Sequence, residues 1–260
     1  MIPHFNFYGR LFLSIPVLPL LYWQGKKSKA AVPDLPPAKH PIGTSEHPQA
    51  THTFQVLSFG ESAFAGIGID DHQYTITGIL AKQLSEKLAQ NVAWEVVAKS
   101  GYNAEQVREE LVDLSTIKRP DLIIIGLGAN DTFEIHFPEK WKRDMIQLIG
   151  RIRDTHGNCP ILLAHLPPVH QFPVLSPLLQ WFMGNFMAEY HVVNQKLVQL
   201  EEAIHYVNER IDFDTWVDRL PKNFTKSDLF CDGVHPGKLA HKLWGEAIAA
   251  YVLQKELLVK

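Results

Sequence analysis

Residues 121–128, DLIIIGLG, constrain the fold more than any other stretch. They form an unbroken apolar run entered through Pro120. A strand with one wet face alternates apolar and polar residues, whereas a strand covered on both faces does not. The run therefore predicts a central parallel strand between two layers of helices. Its surroundings agree. Residues 54–60 open as a strand, and Ile76, Ile79, Leu80, Leu84 and Leu88 share one helix face. Residues 94–100 read as a second strand, after which Asn103 can cap a helix that buries Val107, Leu111 and Leu114. Trp141, Met145, Leu148, Ile149 and Ile152 space as a helix that Gly157-Asn158 ends, and residues 160–166 are the fourth strand. A helix is expected from Pro177 onward, with Val193, Leu197, Leu200 and Ile204 continuing the spacing. A weaker fifth strand at residues 204–211 and a last helix bearing Leu239, Leu243, Ile248 and Tyr251 complete the pattern. Strands alternating with helices imply right-handed crossovers and a parallel sheet. Ligands then bind beyond the carboxyl ends of the strands.

Composition narrows the function. The chain has 260 residues, 46% of them hydrophobic and 20% charged, as expected of one globular α/β domain with additional segments. A net charge of −3 leaves no basic field for nucleic acid. Cys159 and Cys231 lack metal-ligand spacing and read as buried free thiols.

Residues 1–30 differ from the rest. Residues 11–23, LFLSIPVLPLLYW, are uncharged and apolar but contain Pro16 and Pro19, and Lys26, Lys27 and Lys29 follow. A spanning helix needs about 20 apolar residues, so this run is too short to cross comfortably. Residues 11–29 can instead make peripheral contact with an anionic membrane, or fold over an apolar groove of their own domain. Positive residues favour the cytoplasmic side, which would place the domain on the inner face; export through an atypical signal is the alternative. Residues 31–53, with Pro33, Pro36, Pro37, Pro41 and Pro48, read as an extended linker, and residues 54–260 as the functional domain.

Four short blocks fall where the fold would gather them. Ser62 follows the first strand on a turn, where it could merely cap a helix or serve as a nucleophile backed by helix-end N–H groups. Gly101 follows the second strand. Asn130, whose amide can donate to an oxyanion, follows the third. Near the carboxyl end, Asp232 stands three residues before His235, close enough to accept from Nδ1 while Nε2 faces a serine. In this order GESAFAG, SGYN, GAND and DGVH resemble the four blocks of the SGNH (GDSL-type) hydrolase superfamily, over about residues 54–255. With GES in the nucleophile block, the chain resembles a bacterial subgroup that carries this variant. The resemblance implies a flavodoxin-like three-layer α/β/α sandwich with a five-stranded parallel sheet. It also implies a metal-free serine hydrolase without cofactor, cleaving acyl esters or thioesters. By the same resemblance Ser62 is the nucleophile, His235 the base and Asp232 its orienting partner. The N–H groups of Ser62 and Gly101 and the amide of Asn130 form the oxyanion hole.

The chain departs from the pattern at Glu61, where aspartate is usual, at Ala63, where leucine is usual, and in lacking an asparagine upstream in the second block. Asp131 reads as a cap or turn residue, and His165 and His170 as ordinary surface or packed residues rather than catalytic ones. Two other functions compete. Trp181 and Trp216 could stack on sugar rings in a carbohydrate O-deacetylase, and a non-catalytic binding module could share the fold.

Overall fold

The computed structural model describes residues 2–218, 220 and 223–258, and residues 2–6 by their backbone alone. Among the described residues ten α-helices run α1 (Ile2–Ser14), α2 (Leu18–Ala31), α3 (Ser62–Ala65), α4 (Ile76–Leu88), α5 (Ala104–Gln106), α6 (Ala129–Phe133), α7 (Pro138–His156), α8 (Pro177–Leu197), α9 (Phe213–Asp218) and α10 (Lys238–Gln254). Between them lie strands β1 (Ile42–Ser45), β2 (Thr53–Gly60), β3 (Asn91–Ala98), β4 (Leu122–Gly126), β5 (Ile161–Leu163) and β6 (Ile204–Tyr206).

The sheet order is β1-β3-β2-β4-β5-β6. The last five strands are mutually parallel, in the order of a flavodoxin-like sheet. The sixth strand, β1, comes from the stretch expected to be linker throughout, and pairs antiparallel with β3, Ile42 opposite Glu95 and Ser45 opposite Val92. It is short, bounded by Pro41 and Pro48, and sits at an edge where proline is tolerated. Gly43 is required there, because a Cβ would lie 2.4 Å from the ring of Trp94.

Every residue of β4 is buried, as its unbroken apolar run requires. Alternate residues serve two cores. Leu57, Phe59, Ile123, Ile125, Ile161 and Leu163 point to a layer built from α7, α8 and the turn after α5. Val56, Val92, Leu122, Ile124 and Leu162 point to α4 and α10. The first layer also takes in Phe7 and Leu21 of the N-terminal helices.

Two expectations about helices are corrected. Leu114 is exposed and Val112 buried, because α5 passes into a π-helical turn (Val107–Leu111) that inserts a residue and rotates the face. Helix α8 ends at Leu197, leaving Leu200 in solvent and Ile204 in β6. Cys231 is exposed, unlike Cys159, and both thiols are free.

The parallel order reverses between β2 and β4, and both strands end in glycine. Phe64 fills the space against them: a Cβ at Gly126 would lie 1.9 Å from its ring, and one at Gly60 2.5 Å from its Cβ. Gly126→Ala is expected to destabilise the protein by roughly 1–3 kcal/mol through overpacking, measurable by urea unfolding. An unchanged unfolding midpoint would show that Phe64 can move aside.

Candidate active site

The crevice at the switch point is where an open α/β sheet binds ligands, and three of the four sequence blocks reach it from strand ends. Ser62 is the first residue of α3, one turn long, which Gly66 closes in the left-handed region at φ 65°. Glu61 precedes it in extended conformation, and its N–H donates to the carbonyl of Gly126, 3.1 Å away. Gly101, at φ 84°, ends the turn after β3 and has open space where a Cβ would stand. Asn130 lies in the first turn of α6.

The Glu61 carboxyl is almost fully buried and joins these pieces. Its Oε1 accepts from the Ala129 N–H at 2.8 Å, and its Oε2 from the Asn130 N–H at 2.8 Å and from Asn130 Nδ2 at 2.5 Å. The same Nδ2 donates to the Tyr102 carbonyl at 3.1 Å. Burial drives the Glu61 pKa up to about 8, outweighing three donors that each lower it, and Asp131 adds to the rise. Asp131 acts structurally: its Oδ2 accepts from the Ala104 N–H at 3.2 Å, tying α6 to the turn that carries Gly101. Asn103 caps α5 and donates to Glu134 at 2.7 Å, closing the same seam. Asp131, His136 and Asp144 bring ligand-type atoms within 4.8 Å of one another, and the Lys140 ammonium, 2.6 Å from Asp144, already compensates their charge.

Asp232 and His235 sit on the turn before α10. Asp232 Oδ2 lies 2.6 Å from His235 Nδ1, and Oδ1 accepts the N–H groups of Val234 and His235 at 2.9 and 2.8 Å. Burial opposes ionisation of Asp232, but these three bonds overcome it and hold its pKa below the ordinary range. His165 and His241 are buried, and burial lowers them to about 4 and about 3, so both stay neutral in the core.

Ser62, Gly101, Asn130 and His235 line one cavity of about 880 Å³. Its floor is apolar, with Phe172, Leu175, Leu179, Phe182 and Met183. One wall comes from the N-terminal segment, for which a fold over the domain's own apolar groove was one of the alternatives: Leu18, Leu21 and Tyr22 of α2 complete it. Phe7, Ser14 and Leu21, at multiples of one helical turn, are the buried stripe of this segment, and that spacing was the available signal. Trp216 is buried edge-on to Phe213, and Trp181 lies in a separate groove with Arg10 and His170.

A serine on a tight turn at the switch point, opening with a carboxylate-bonded histidine onto one cavity, is the arrangement of a flavodoxin-like α/β hydrolase. The sequence profile of the GDSL-like lipase/acylhydrolase family matches residues 58–243. The chain belongs to this family and is a carboxylic ester hydrolase. No curated protein sequence matches it. Solved structures share the fold. TesA is 20% identical with a TM-score of 0.58, covering 78% of this chain and 99% of its own. The esterase EstA of Pseudoalteromonas sp., inhibited by monoethylphosphonate, is 17% identical at 0.53, covering 78% and 98%. A variant of Axe2, an acetyl-xylooligosaccharide esterase of Geobacillus Stearmophilus, is 14% identical at 0.53, covering 83% and 97%.

Because the folded-state pKa of Glu61 is raised, the folded chain keeps a proton that the unfolded chain releases above about 4.5. The stability this contributes is full below that pH and is lost as pH rises towards about 8. Glu61→Gln removes the titration. Urea unfolding between pH 5 and 8 should show the wild type losing stability relative to Glu61→Gln, by roughly 1.4 kcal/mol per pH unit at most. Parallel pH profiles for the two proteins would contradict this.

Proposed function

We propose that the protein cleaves acyl esters or thioesters with a hydrocarbon acyl chain through an acyl-enzyme formed on Ser62. The observation that carries this reading is the apolar cavity that opens directly onto Ser62 and His235. Its volume and lining suit an alkyl chain, whose burial contributes about 0.8 kcal/mol per CH₂.

The chemistry follows from the residues. Ser62 Oγ attacks the carbonyl carbon as its proton passes to His235 Nε2. Asp232, 2.6 Å from Nδ1, fixes the tautomer that leaves Nε2 free to accept and stabilises the imidazolium that forms. The oxyanion takes hydrogen bonds from the N–H groups of Ser62 and Gly101 and from the Asn130 amide. The imidazolium then gives its proton to the leaving alcohol or thiol, and a water repeats the sequence to free the acid. Glu61, longer by one methylene than the usual aspartate, already engages the Asn130 amide. It positions that group before substrate arrives, and an oxyanion has to share it.

O-Deacetylation of a carbohydrate is the runner-up. The fold shared with the acetyl-xylooligosaccharide esterase suits it, but neither Trp181 nor Trp216 lines the cavity at Ser62. A silent binding module is disfavoured by the retained Ser62, His235 and Asp232.

Ser62→Ala is expected to cut p-nitrophenyl ester turnover roughly 10⁴-fold or more, and a fluorophosphonate should label Ser62. Labelling at another residue would overturn the assignment. Over a series of p-nitrophenyl esters, kcat/KM should rise with chain length beyond acetate; a preference for acetate, or for acetylated sugar, favours the runner-up. Asn130→Ala should lower kcat by about 10²–10³ with little change in KM. A change confined to KM would make Asn130 a substrate contact instead.

A further inference from the structure

The N-terminal helices have two faces, and the body of the protein covers only one. Inward, Phe7 packs edge-on to Phe186, and Leu21 is buried above the cavity. Polar contacts pin the segment to the loop before α8 and to α8 itself. Ser28 Oγ donates to the Val174 carbonyl at 2.9 Å, Ser176 Oγ to Gln24 Oε1 at 2.7 Å, and Arg10 to Asn185 Oδ1 at 2.7 Å. Outward, Phe12 and Leu13 are each 71% exposed, Trp23 59% and Ile15 53%. Of the seventeen large apolar side chains exposed among the described residues, eight fall from Tyr8 to Trp23, so exposed apolar surface concentrates on this segment, Leu18 and Tyr22 on its cavity side.

The charges within this segment are all of one sign; the acids nearest it, Glu139, which accepts from Tyr8, and Asp34, lie at its two ends. Residues 1–33 contain Arg10, Lys26, Lys27 and Lys29 and no acid, in a chain of net charge −3. Lys26 and Lys27 lie over the rings of Tyr22 and Trp23, at 5.5 and 5.6 Å from their centroids. Aromatic rings with ammonium groups over their faces match the boundary between acyl chains and anionic headgroups. Among the described residues no helix is long and apolar enough to cross a membrane. Tyr22 and Lys26, at the end of the patch, also line the cavity that holds Ser62.

We propose that the outer face of residues 8–29 docks on the surface of an anionic lipid bilayer, and that the ester is taken from that bilayer. Docked through Phe12, Leu13 and Trp23, the segment places the Tyr22–Lys26 side of the cavity at the lipid boundary. An acyl chain can then pass from the bilayer to the apolar floor without crossing water. The choice of substrate source rests on the ester-hydrolase reading above; the docking does not.

The test uses the full chain and sedimentation with vesicles of phosphatidylcholine, alone or mixed with phosphatidylglycerol. The wild type should bind the mixed vesicles and bind phosphatidylcholine poorly. Phe12→Ser/Leu13→Ser/Trp23→Ser, which replaces no residue lining the cavity, should weaken binding at least about ten-fold, and Lys27→Glu about five-fold. The triple variant should keep wild-type turnover of a soluble short-chain p-nitrophenyl ester, which also shows that it folds, and lose turnover of the same ester type embedded in vesicles. Ser62→Ala should bind vesicles as the wild type does, so a failed nucleophile and a failed docking surface give different results. Binding that ignores lipid charge and the triple substitution would overturn the proposal. So would a wild-type dimer that binds no vesicles and that the triple substitution splits, since the face would then belong to a second copy.

Discussion

The site depends on one buried carboxyl group. Glu61 leaves β2 and is bound by the first N–H groups of α6, the helix that follows β4, so the two strand ends on either side of the switch point are held together across their own crevice. The backbone supplies a second tie, from the Glu61 N–H to the Gly126 carbonyl. The glycines at both strand ends exist so that Phe64 can pass beneath and bring these partners into range. The cost is a carboxyl group removed from water with no cation against it, which is why its pKa climbs. A buried acceptor facing three donors gives direction as well as energy, since any other arrangement strands donors in an apolar setting.

From that tie the rest of the rim follows by short links. Asn130 reaches the carbonyl of Tyr102, and Asp131 the N–H of Ala104, so the turns after β3 and β4 are laced to each other as well as to β2. Only the Asp232–His235 turn arrives independently, and it is organised internally by three hydrogen bonds over four residues. The site is therefore two rigid pieces facing one another across a cavity, one held by the sheet and one by α10.

Much of this was legible in the sequence, for physical reasons. The β4 run could be read because burial on both faces leaves no polar alternation to confuse it. The blocks at Ser62, Gly101 and Asn130 could be placed because strand ends fix where a turn residue goes, whereas the Asp232–His235 turn was assigned only by the family resemblance. Three features could not be read. A π-helical turn has no periodic signature, so Leu114 and Val112 exchanged roles. A four-residue edge strand between prolines looks like linker, because its pairing is decided by β3 and not by its own residues. That α2 walls the cavity depends on tertiary packing; the sequence offered only an apolar run that could face protein or lipid, and its helices have side chains facing both ways.

The edge strand β1 has a bearing on how the N-terminal segment can be manipulated. Residues 35–45 cross the rim as a strap: the Ala38 N–H bonds the Ala65 carbonyl, the Lys39 N–H bonds the Asp70 carbonyl, and the chain then caps the edge of β3. Deleting everything before residue 51 would remove the outer helices and uncover β3 together. That leaves a strand bearing Val92, Trp94 and Val96 with free hydrogen-bonding groups along its length, a template on which another molecule can add a strand. Such a truncated chain would tend to aggregate for reasons unrelated to substrate or lipid, whereas point changes on the outer face leave that edge protected.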